Sequence, residues 1–211
     1  VVQRFLGWTI PQVFLALAIA NALVAIYIFT LVPEFLMRFL SWVLVRTLYR
    51  LRLHGIEDNV PDEGPALLVC NHVSYMDALI LSACVPRPVR LLMYSKIFNI
   101  PVMSWIFLTA KAIPIAGARE NPEIMRRAFE EIDAALADGQ IVGIFPEGAL
   151  TRDGEIAAFK SGVEKVLEAR PVPVVPMALK GMWTSMWSHR DGRMRRMRLP
   201  HDRRCAQRFL V

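Results

Sequence analysis

A histidine and an aspartate five positions apart are the residues of this chain best suited to chemistry. His72 and Asp77 lie between the apolar run Ala66 to Cys70 and the helix-like run Ala78 to Val85. A histidine ring oriented by a nearby carboxylate is the usual general base for activating a hydroxyl near neutral pH. The spacing therefore predicts a His–Asp pair that removes a proton from a hydroxyl group.

The same segment also fits a structural role. Ser74, followed three positions later by Asp77 and then by an apolar run, has the pattern of a capping box. Ser74 would be the N-cap of a helix, Asp77 its third residue, and His72 an ordinary loop residue. The two interpretations are compatible, because a capped helix start holds a carboxylate rigidly beside an imidazole.

A second polar stretch, Phe145 to Gly148, follows another apolar run, Ile141 to Phe145. It places Glu147 on a Pro-Gly turn. In a parallel α/β sheet, the loops at the carboxyl ends of the strands form the binding crevice. If both apolar runs are strands of such a sheet, the two polar stretches meet at one edge of it.

Asn-His-x-x-x-x-Asp followed by Phe-Pro-Glu-Gly resembles the signature pair of the glycerolipid acyltransferases, the 1-acyl-glycerol-3-phosphate and lysophospholipid acyltransferases. The resemblance extends from Tyr49 to Lys180 and includes a Phe-Lys-x-Gly step at 159–162 and a Val-Pro-Val-x-Pro segment at 172–176. It implies transfer of a fatty acyl group from a thioester of coenzyme A or acyl carrier protein to the free glycerol hydroxyl of a lysolipid. Apart from the thioester substrate, we expect no cofactor.

The resemblance also implies the roles of site residues. His72 is the general base and Asp77 orients it, while the block Phe145 to Gly148 helps to bind the acyl acceptor. Because a carboxylate does not bind phosphate directly, we expect Glu147 itself to accept hydrogen bonds from acceptor hydroxyls or to anchor Arg152 and Lys160. The predicted substrate-binding residues are Asn71, Ser74, Lys111, Arg119, Phe145, Pro146, Glu147, Gly148, Arg152 and Lys160.

Two departures from the family pattern concern the acceptor phosphate. The family often has an arginine at the end of an Ile-x-Ile-x-Arg-like strand, and here Lys111 or Arg119 would have to replace it. The family also often has Thr-Arg directly after Glu-Gly, whereas here Ala149 and Leu150 come before Thr151 and Arg152. At these positions the chain resembles lysophospholipid acyltransferases that are fused to a transporter-like membrane domain more than the stand-alone lysophosphatidate enzymes. Because the chain begins Val-Val, we expect it to be an excerpt of a longer protein.

The amino-terminal part predicts membrane association. Ile10 to Val32 contains no charged residue, and a helix rising ~1.5 Å per residue can cross a ~30 Å hydrocarbon core over that length. The segment Phe35 to Arg52 carries Arg38, Arg46 and Arg50 at multiples of four, which predicts a helix lying in the bilayer interface. The alternatives are a buried core helix for the first segment and a helix docked on the protein's own core for the second.

The remainder predicts an α/β fold: a mostly parallel central sheet with flanking helices, preceded by the membrane-associated helices. Residues 1–54 would form the membrane-spanning and interfacial helices, and residues 55–211 an acyltransferase domain with a truncated carboxyl end. The predicted strands are Ala66 to Cys70, Val89 to Tyr94, Ala112 to Ile115, Ile141 to Phe145 and Val172 to Ala178. The predicted helices are Met76 to Val85, Val102 to Thr109, Pro122 to Ala137 and Ser161 to Ala169.

The formal net charge of +6 favours anionic binding partners. Residues 180–211 hold nine Lys or Arg against two Asp, beside Trp183 and Trp187, which suits an anionic membrane surface. No nucleic-acid motif accompanies these charges, so nucleic acid is not an expected partner. Positive residues directly after the first apolar segment favour the cytoplasmic face of the inner cell membrane for the rest of the chain.

Other chemistries are less well supported. The four histidines and three cysteines show no metal-ligand spacing, so we predict no metal, and Cys70 and Cys84 read as small buried hydrophobes. A membrane lipid-binding module that has lost catalysis would not need His72 and Asp77. A thioesterase or lipase using the same pair on water would need a site open to water.

Overall fold

A computed structural model describes residues 7–31, 33–185, 187–189 and 206–210, the last as backbone alone. Its α-helices are α1 Ile10–Leu31, α2 Pro33–Leu48, α3 Ile56–Asn59, α4 Asp77–Cys84, α5 Pro101–Thr109, α6 Pro122–Ala137 and α7 Gly162–Ala169. Its strands are β1 Arg50–His54, β2 Ala66–Cys70, β3 Val89–Tyr94, β4 Ile113–Ile115, β5 Ile141–Ile144, β6 Val174–Lys180 and β7 Ala206–Leu210. Short 3-10 helices cover Ser95–Asn99 and Met182–Thr184.

The strands form one sheet in the order β1-β7-β6-β2-β5-β3-β4. The five strands β6, β2, β5, β3 and β4 pair with one another in parallel. Strand β7 is antiparallel to β6 and parallel to β1. The prediction of a mostly parallel sheet is confirmed. Strand β2 lies at the centre of the sheet, and its residues Ala66, Leu67 and Leu68 are fully buried. Because helices cover both faces of the sheet, such a strand is apolar throughout.

Helices cover both faces of the parallel sheet. On one face, α2 and α4 contribute Val45, Ile80 and Leu81 to a core cluster. On the other, α6 and α7 contribute Ile132 and Val166 to a second cluster. This arrangement leaves the carboxyl ends of the parallel strands as the open edge at which loops can build a site.

Local sequence signals set the bounds of α6, which agree with the prediction. The side chain of Asn121 accepts a hydrogen bond from the backbone N–H of Ile124 (3.0 Å), and Pro122 occupies the first turn. Gly139, with φ of 74°, follows the helix end in the left-handed conformation that favours glycine.

The predicted interfacial helix Phe35 to Arg52 is wrong at its end. The helix stops at Leu48, and Arg50–His54 instead form strand β1, which pairs with β7. Arg50 therefore shares no helix face with Arg38 and Arg46. The segment Arg-Leu-Arg-Leu alternates polar and apolar residues, which is the period of a strand rather than of a helix.

One face of α2 docks on the protein, as the alternative for this segment expected. Val45 is buried, and the Arg38 Nη2 donates hydrogen bonds to the backbone oxygens of Val85 and Pro86 (both 2.9 Å), just beyond α4. A cation at the carboxyl end of a helix is stabilised by the negative end of the helix dipole. Arg38 therefore caps α4 instead of pointing at lipid head groups. The other face of α2 leaves large apolar side chains exposed, among them Phe35, Phe39, Leu40, Trp42, Val43 and Leu44.

Helix α1 stands apart from the core. Within it, the window Ile10–Ile28 is long and apolar enough to cross a membrane, and none of that window is buried.

Trp183 and Trp187, predicted to serve a membrane surface, are half-buried and pack against the core cluster that includes β2 and α4. A Cβ added to Gly154 would lie 3.0 Å from the Trp183 ring, so the loop at Gly154 passes directly over the indole. The basic residues expected to act beside these tryptophans, Arg193, Arg195, Arg196, Arg198, Arg203 and Arg204, lie outside the described residues.

Candidate active site

His72 and Asp77 come together in the loop that follows β2. The His72 Nδ1 lies 3.0 Å from the Asp77 Oδ2; the aspartate side chain is fully buried and the imidazole is 23% exposed. The same oxygen accepts hydrogen bonds from the backbone N–H groups of Val73 (2.6 Å) and Ser74 (2.8 Å). Because Oδ2 acts as the acceptor in these bonds, Nδ1 must carry the ring proton. On the neutral ring, Nε2 is then unprotonated and able to take a proton.

The carboxylate of Asp77 is held under opposing influences. Burial raises the pKa of Asp77, whereas the hydrogen bonds from His72 and from the backbone of Ser74 and Val73 lower it. Its Oδ1 is buried and has no hydrogen-bond partner among the described residues. All its hydrogen bonding thus converges on one oxygen, which fixes the carboxylate relative to the imidazole.

Of the two capping-box bonds expected of this segment, the one from the Ser74 N–H to the Asp77 carboxylate is present, whereas the Ser74 hydroxyl accepts from a different residue than Asp77. The Ser74 Oγ accepts a hydrogen bond from the backbone N–H of Met76 (3.1 Å), and Asp77 accepts one from Ser74. The helix itself begins at Asp77 with Met76 in the N-cap position, so the prediction of Ser74 as N-cap residue is wrong by two positions. Asp77 supports the local backbone and orients His72 with the same oxygen atom.

Glu147 follows β5, the strand beside β2, and it is only 4% exposed. Its Oε1 accepts a hydrogen bond from the backbone N–H of His72 (2.7 Å), and its Oε2 accepts one from Ala157 (2.9 Å). Among the described residues, its carboxylate forms no ion pair with Arg152 or Lys160. The side chain therefore joins two loops, instead of anchoring those two cations as the sequence suggested.

Thr151, which the sequence did not single out as a site residue, completes the support of His72. Its backbone N–H donates a hydrogen bond to the carbonyl oxygen of His72 (2.9 Å), so both the N–H and the C=O of His72 are held by the loop that begins at Glu147. The Thr151 hydroxyl donates to the backbone oxygen of Glu155 (2.7 Å) and stabilises that loop in turn. Only the Thr-Arg pair of the family pattern pointed to this position.

The other members of the Phe-Pro-Glu-Gly turn shape the site. The Phe145 ring stacks on the His72 imidazole, with centroids 4.2 Å apart and an angle of 18° between the rings. The backbone oxygen of Pro146 accepts a hydrogen bond from the backbone N–H of Lys160 (2.9 Å). Gly148 has φ of 64°, and a Cβ there would lie 2.5 Å from the Lys160 Nζ. The lysine side chain thus lies directly over the glycine.

Asn71 and Ser74 were predicted to bind substrate, but their polar atoms bond to the protein backbone. The Asn71 side chain donates to the backbone oxygen of Leu179 (3.1 Å) and accepts from its N–H (2.7 Å), which extends the pairing of β2 with β6. Ser74 is fully buried and forms a β-bridge with Ser188. Their positions indicate a structural role.

The predicted cations fall into two groups. Arg152 and Lys160 are exposed on the loop that follows Glu147. Arg119 is exposed in the turn after β4, also at the carboxyl edge of the sheet. Lys111 precedes β4, and its backbone oxygen accepts a hydrogen bond from Arg90 Nε near the start of β3. It therefore lies at the opposite edge, and its position argues against contact with the acceptor.

A second imidazole lies close to the His–Asp loop. The Tyr75 hydroxyl is 2.8 Å from the His189 Nε2, and the tyrosine is exposed. The backbone N–H of Tyr75 also donates to Trp187 (3.2 Å), so residues 187–189 pack against this loop. No sequence pattern indicated this pair, because the two residues are 114 positions apart in the chain.

Alternative reactive groups are less suited to catalysis. Burial raises the pKa of the Cys70 thiol well above its usual range and that of Cys84 to about 12, so neither is a thiolate at neutral pH. Within the described residues, no group of three or more His, Cys, Asp or Glu side chains could hold a metal ion. His72 is therefore the best-placed group for proton transfer.

The chain is similar in sequence to a family of known proteins. Residues 50–180 match the sequence model of the family described as Acyltransferase. The chain is 26% identical over 161 residues to the chloroplastic 1-acyl-sn-glycerol-3-phosphate acyltransferase LPAT1 of Arabidopsis thaliana, covering 75% of this chain and 44% of the relative. It is 30% identical over 148 residues to a 1-acyl-sn-glycerol-3-phosphate acyltransferase of Chlamydomonas reinhardtii, covering 70% and 43%. The chain thus spans less than half the length of these relatives.

The fold has a solved counterpart. The crystal structure of the 1-acyl-sn-glycerophosphate acyltransferase PlsC from Thermotoga maritima superposes with a TM-score of 0.59, covering 74% of this chain and 62% of that protein. The two are 21% identical, so the likeness supports the α/β architecture and nothing finer.

Proposed function

This chain belongs to the Acyltransferase family, and on that premise we propose that it moves a fatty acyl group from a thioester to the free hydroxyl of a 1-acyl-glycerol-3-phosphate or a related lysophospholipid. The observation that carries the proposal is the 3.0 Å contact between His72 Nδ1 and Asp77 Oδ2, which leaves Nε2 as proton acceptor. The names of the relatives from Arabidopsis and Chlamydomonas support the acceptor class.

The reaction proceeds by direct transfer. His72 Nε2 takes the proton of the glycerol hydroxyl while that oxygen attacks the carbonyl carbon of the thioester. The bond to sulfur breaks, and the departing thiolate receives the proton from the imidazolium, which leaves an ester and a free thiol. General base catalysis of this kind contributes about 10²–10⁴-fold. Asp77 fixes the ring tautomer throughout and stabilises the imidazolium when it forms.

The acceptor phosphate binds to the exposed cations of the carboxyl edge. Arg152 offers a planar fork that matches phosphate oxygens, and Lys160 adds a point charge beside it. Arg119 is a third candidate, at the end of β4. Glu147 works indirectly, because its two oxygens hold the loop of His72 and the loop of these cations in one arrangement.

The protein works at a membrane. Helix α1 provides the anchor, supported by its uncharged spanning length and its lack of burial. The exposed apolar face of α2 lies in the interface, and Arg46 lies over the Trp42 ring (5.7 Å) on this helix. The catalytic domain faces the cytoplasm, since positive residues follow the span.

One assay separates this function from its rivals. The purified full chain in detergent receives a labelled acyl thioester together with a panel of lysolipids, and both diacyl product and free fatty acid are measured. We expect acyl transfer that depends on a lysolipid acceptor. Free fatty acid formed at the same rate without acceptor would make the protein a thioesterase, and lipid binding without either product would make it a binding module.

A further inference from the structure

Helix α5 has an unusual composition for a helix on the outside of a domain. Its sequence, Pro-Val-Met-Ser-Trp-Ile-Phe-Leu-Thr, carries no charge, and none of its residues is buried. Val102, Trp105 and Leu108 are 64%, 60% and 62% exposed. Because they are spaced three apart, they lie along one side of the helix. An exposed apolar stripe of this kind indicates an interaction surface.

The stripe continues into other exposed apolar residues. Ile100, directly before α5, is exposed as well. Helix α5 contacts α2, whose exposed face carries Phe39 and Trp42, and α2 contacts α1. Three helices that each carry exposed apolar residues, from two distant parts of the sequence, thus form a chain of contacts.

The charges around α5 indicate what covers the stripe. No charged residue lies between Lys96 and Lys111, and no acidic residue lies between Asp77 and Glu120. The stripe itself therefore carries no charge that would lose its hydration on entering a bilayer, and of the flanking cations Lys96 is paired with Glu120 (2.6 Å). Trp105 fits the same surface, since tryptophan favours the boundary between acyl chains and head groups.

We propose that the exposed stripe of α5, Val102, Trp105 and Leu108, inserts into the interface of a lipid bilayer and gives the catalytic domain a membrane contact of its own, separate from α1. The inference rests on the proposed function in one respect, namely that the acceptor is a lipid held in a membrane. Helix α5 follows the carboxyl end of β3, at the sheet edge that also carries His72. The helix runs from that edge towards Lys111 at the opposite edge. Its insertion therefore brings the active-site edge to the lipid surface at the amino-terminal end of α5, where a lysolipid can enter without crossing water.

Nitroxide labels test the proposal in the full-length chain. Single cysteines are introduced as Val102→Cys, Leu108→Cys and, as a matched control on the exposed side of α6, Ala134→Cys. The background carries Cys84→Ser and Cys205→Ser and retains the buried Cys70. Each labelled protein is reconstituted in vesicles of phosphatidylcholine with a minority of phosphatidylglycerol. Collisions of the label with oxygen, which concentrates in lipid, and with a water-soluble nickel chelate are then compared.

We expect labels at 102 and 108 to collide often with oxygen and several-fold less with nickel than the label at 134. Free collision with nickel at both α5 positions would overturn the proposal. Shielding from both reagents would also overturn it and indicate a second copy or another protein segment on α5. Acyl transfer by the same samples is measured separately. A lipid-like signal without acyl transfer would contradict the proposed function while supporting the membrane contact of α5.

Discussion

Asp77 and Glu147 are two buried acids that follow neighbouring parallel strands, β2 and β5, and they have different roles. Both accept hydrogen bonds from backbone amides. On Asp77, the donors converge on one oxygen and include the side chain of His72. On Glu147, each oxygen accepts from a backbone N–H of a different loop, and no side chain of the described residues donates to it. The first loop therefore determines which nitrogen of the His72 imidazole faces the carboxylate, whereas the second holds the backbone around His72 in place.

Asp77 would have the same purely structural role as Glu147 if it were only a helix cap. We expect Asp77→Asn to lower kcat by about 10²–10³-fold, because the neutral amide is a weaker acceptor for the His72 ring N–H and no longer stabilises the imidazolium by its charge. The measurement is kcat per folded molecule, with the folded fraction taken from circular dichroism. Near-normal turnover with lowered thermal stability would assign Asp77 to capping, whose loss costs about 0.5–2 kcal/mol.

Glu147 should act through position. We expect Glu147→Ala to lower kcat about tenfold and to lower Tm, because it leaves two backbone N–H groups unpaired, each at about 1–3 kcal/mol. Glu147→Gln keeps one good acceptor and should recover part of both quantities. A change confined to KM for the lysolipid, with Tm unaltered in both variants, would instead show that Glu147 touches the acceptor.

The exposed cations should affect acceptor binding alone. Charge-assisted hydrogen bonds contribute about 1.5–3 kcal/mol, so we expect Arg152→Ala and Lys160→Ala each to raise KM for the lysolipid about tenfold and to leave KM for the thioester unchanged. Lys111→Ala, at the opposite edge of the sheet, is the matched control and should leave both constants unchanged. An effect on the thioester alone would assign the 148–160 loop to the acyl donor.

The smallest expected effect is a change in stability on substitution of Gly148, in the turn that follows Glu147. Gly148 has φ of 64°, and a Cβ would meet the flexible end of Lys160. We expect Gly148→Ala to lower the free energy of unfolding by about 1 kcal/mol, with a shift in Tm measured by calorimetry. No shift would show that the turn relaxes freely and does not define the position of Lys160.

The sequence predicted the parallel sheet and helix α6 well, because apolar runs and the Asn121, Pro122 and Gly139 signals are local. It missed β1, since a five-residue alternation beside a helix is easily read as its continuation. The partners of Glu147 and Asn71 were not predictable, because they lie on strands and loops distant in sequence. The edge of the sheet at which each candidate cation lies was not predictable either.

Lys111 and Arg119 show this most clearly. They are eight positions apart, and both fit the gap left by the family's missing arginine. The three residues of β4 between them place one at each edge of the sheet, and only the strand bounds decide which can reach the site.

The central claim, that His72 is the base of an acyl transfer, is tested most directly by His72→Ala, compared with His189→Ala. His189 contacts Tyr75 rather than Asp77, and it serves as the matched histidine control. With a labelled acyl thioester and 1-acyl-glycerol-3-phosphate, we expect the initial rate of diacyl product to fall at least about 10²-fold for His72→Ala and to stay within severalfold for His189→Ala, at equal folded fractions. A His72→Ala protein that transfers the acyl group at a rate close to that of the unaltered chain would contradict the account.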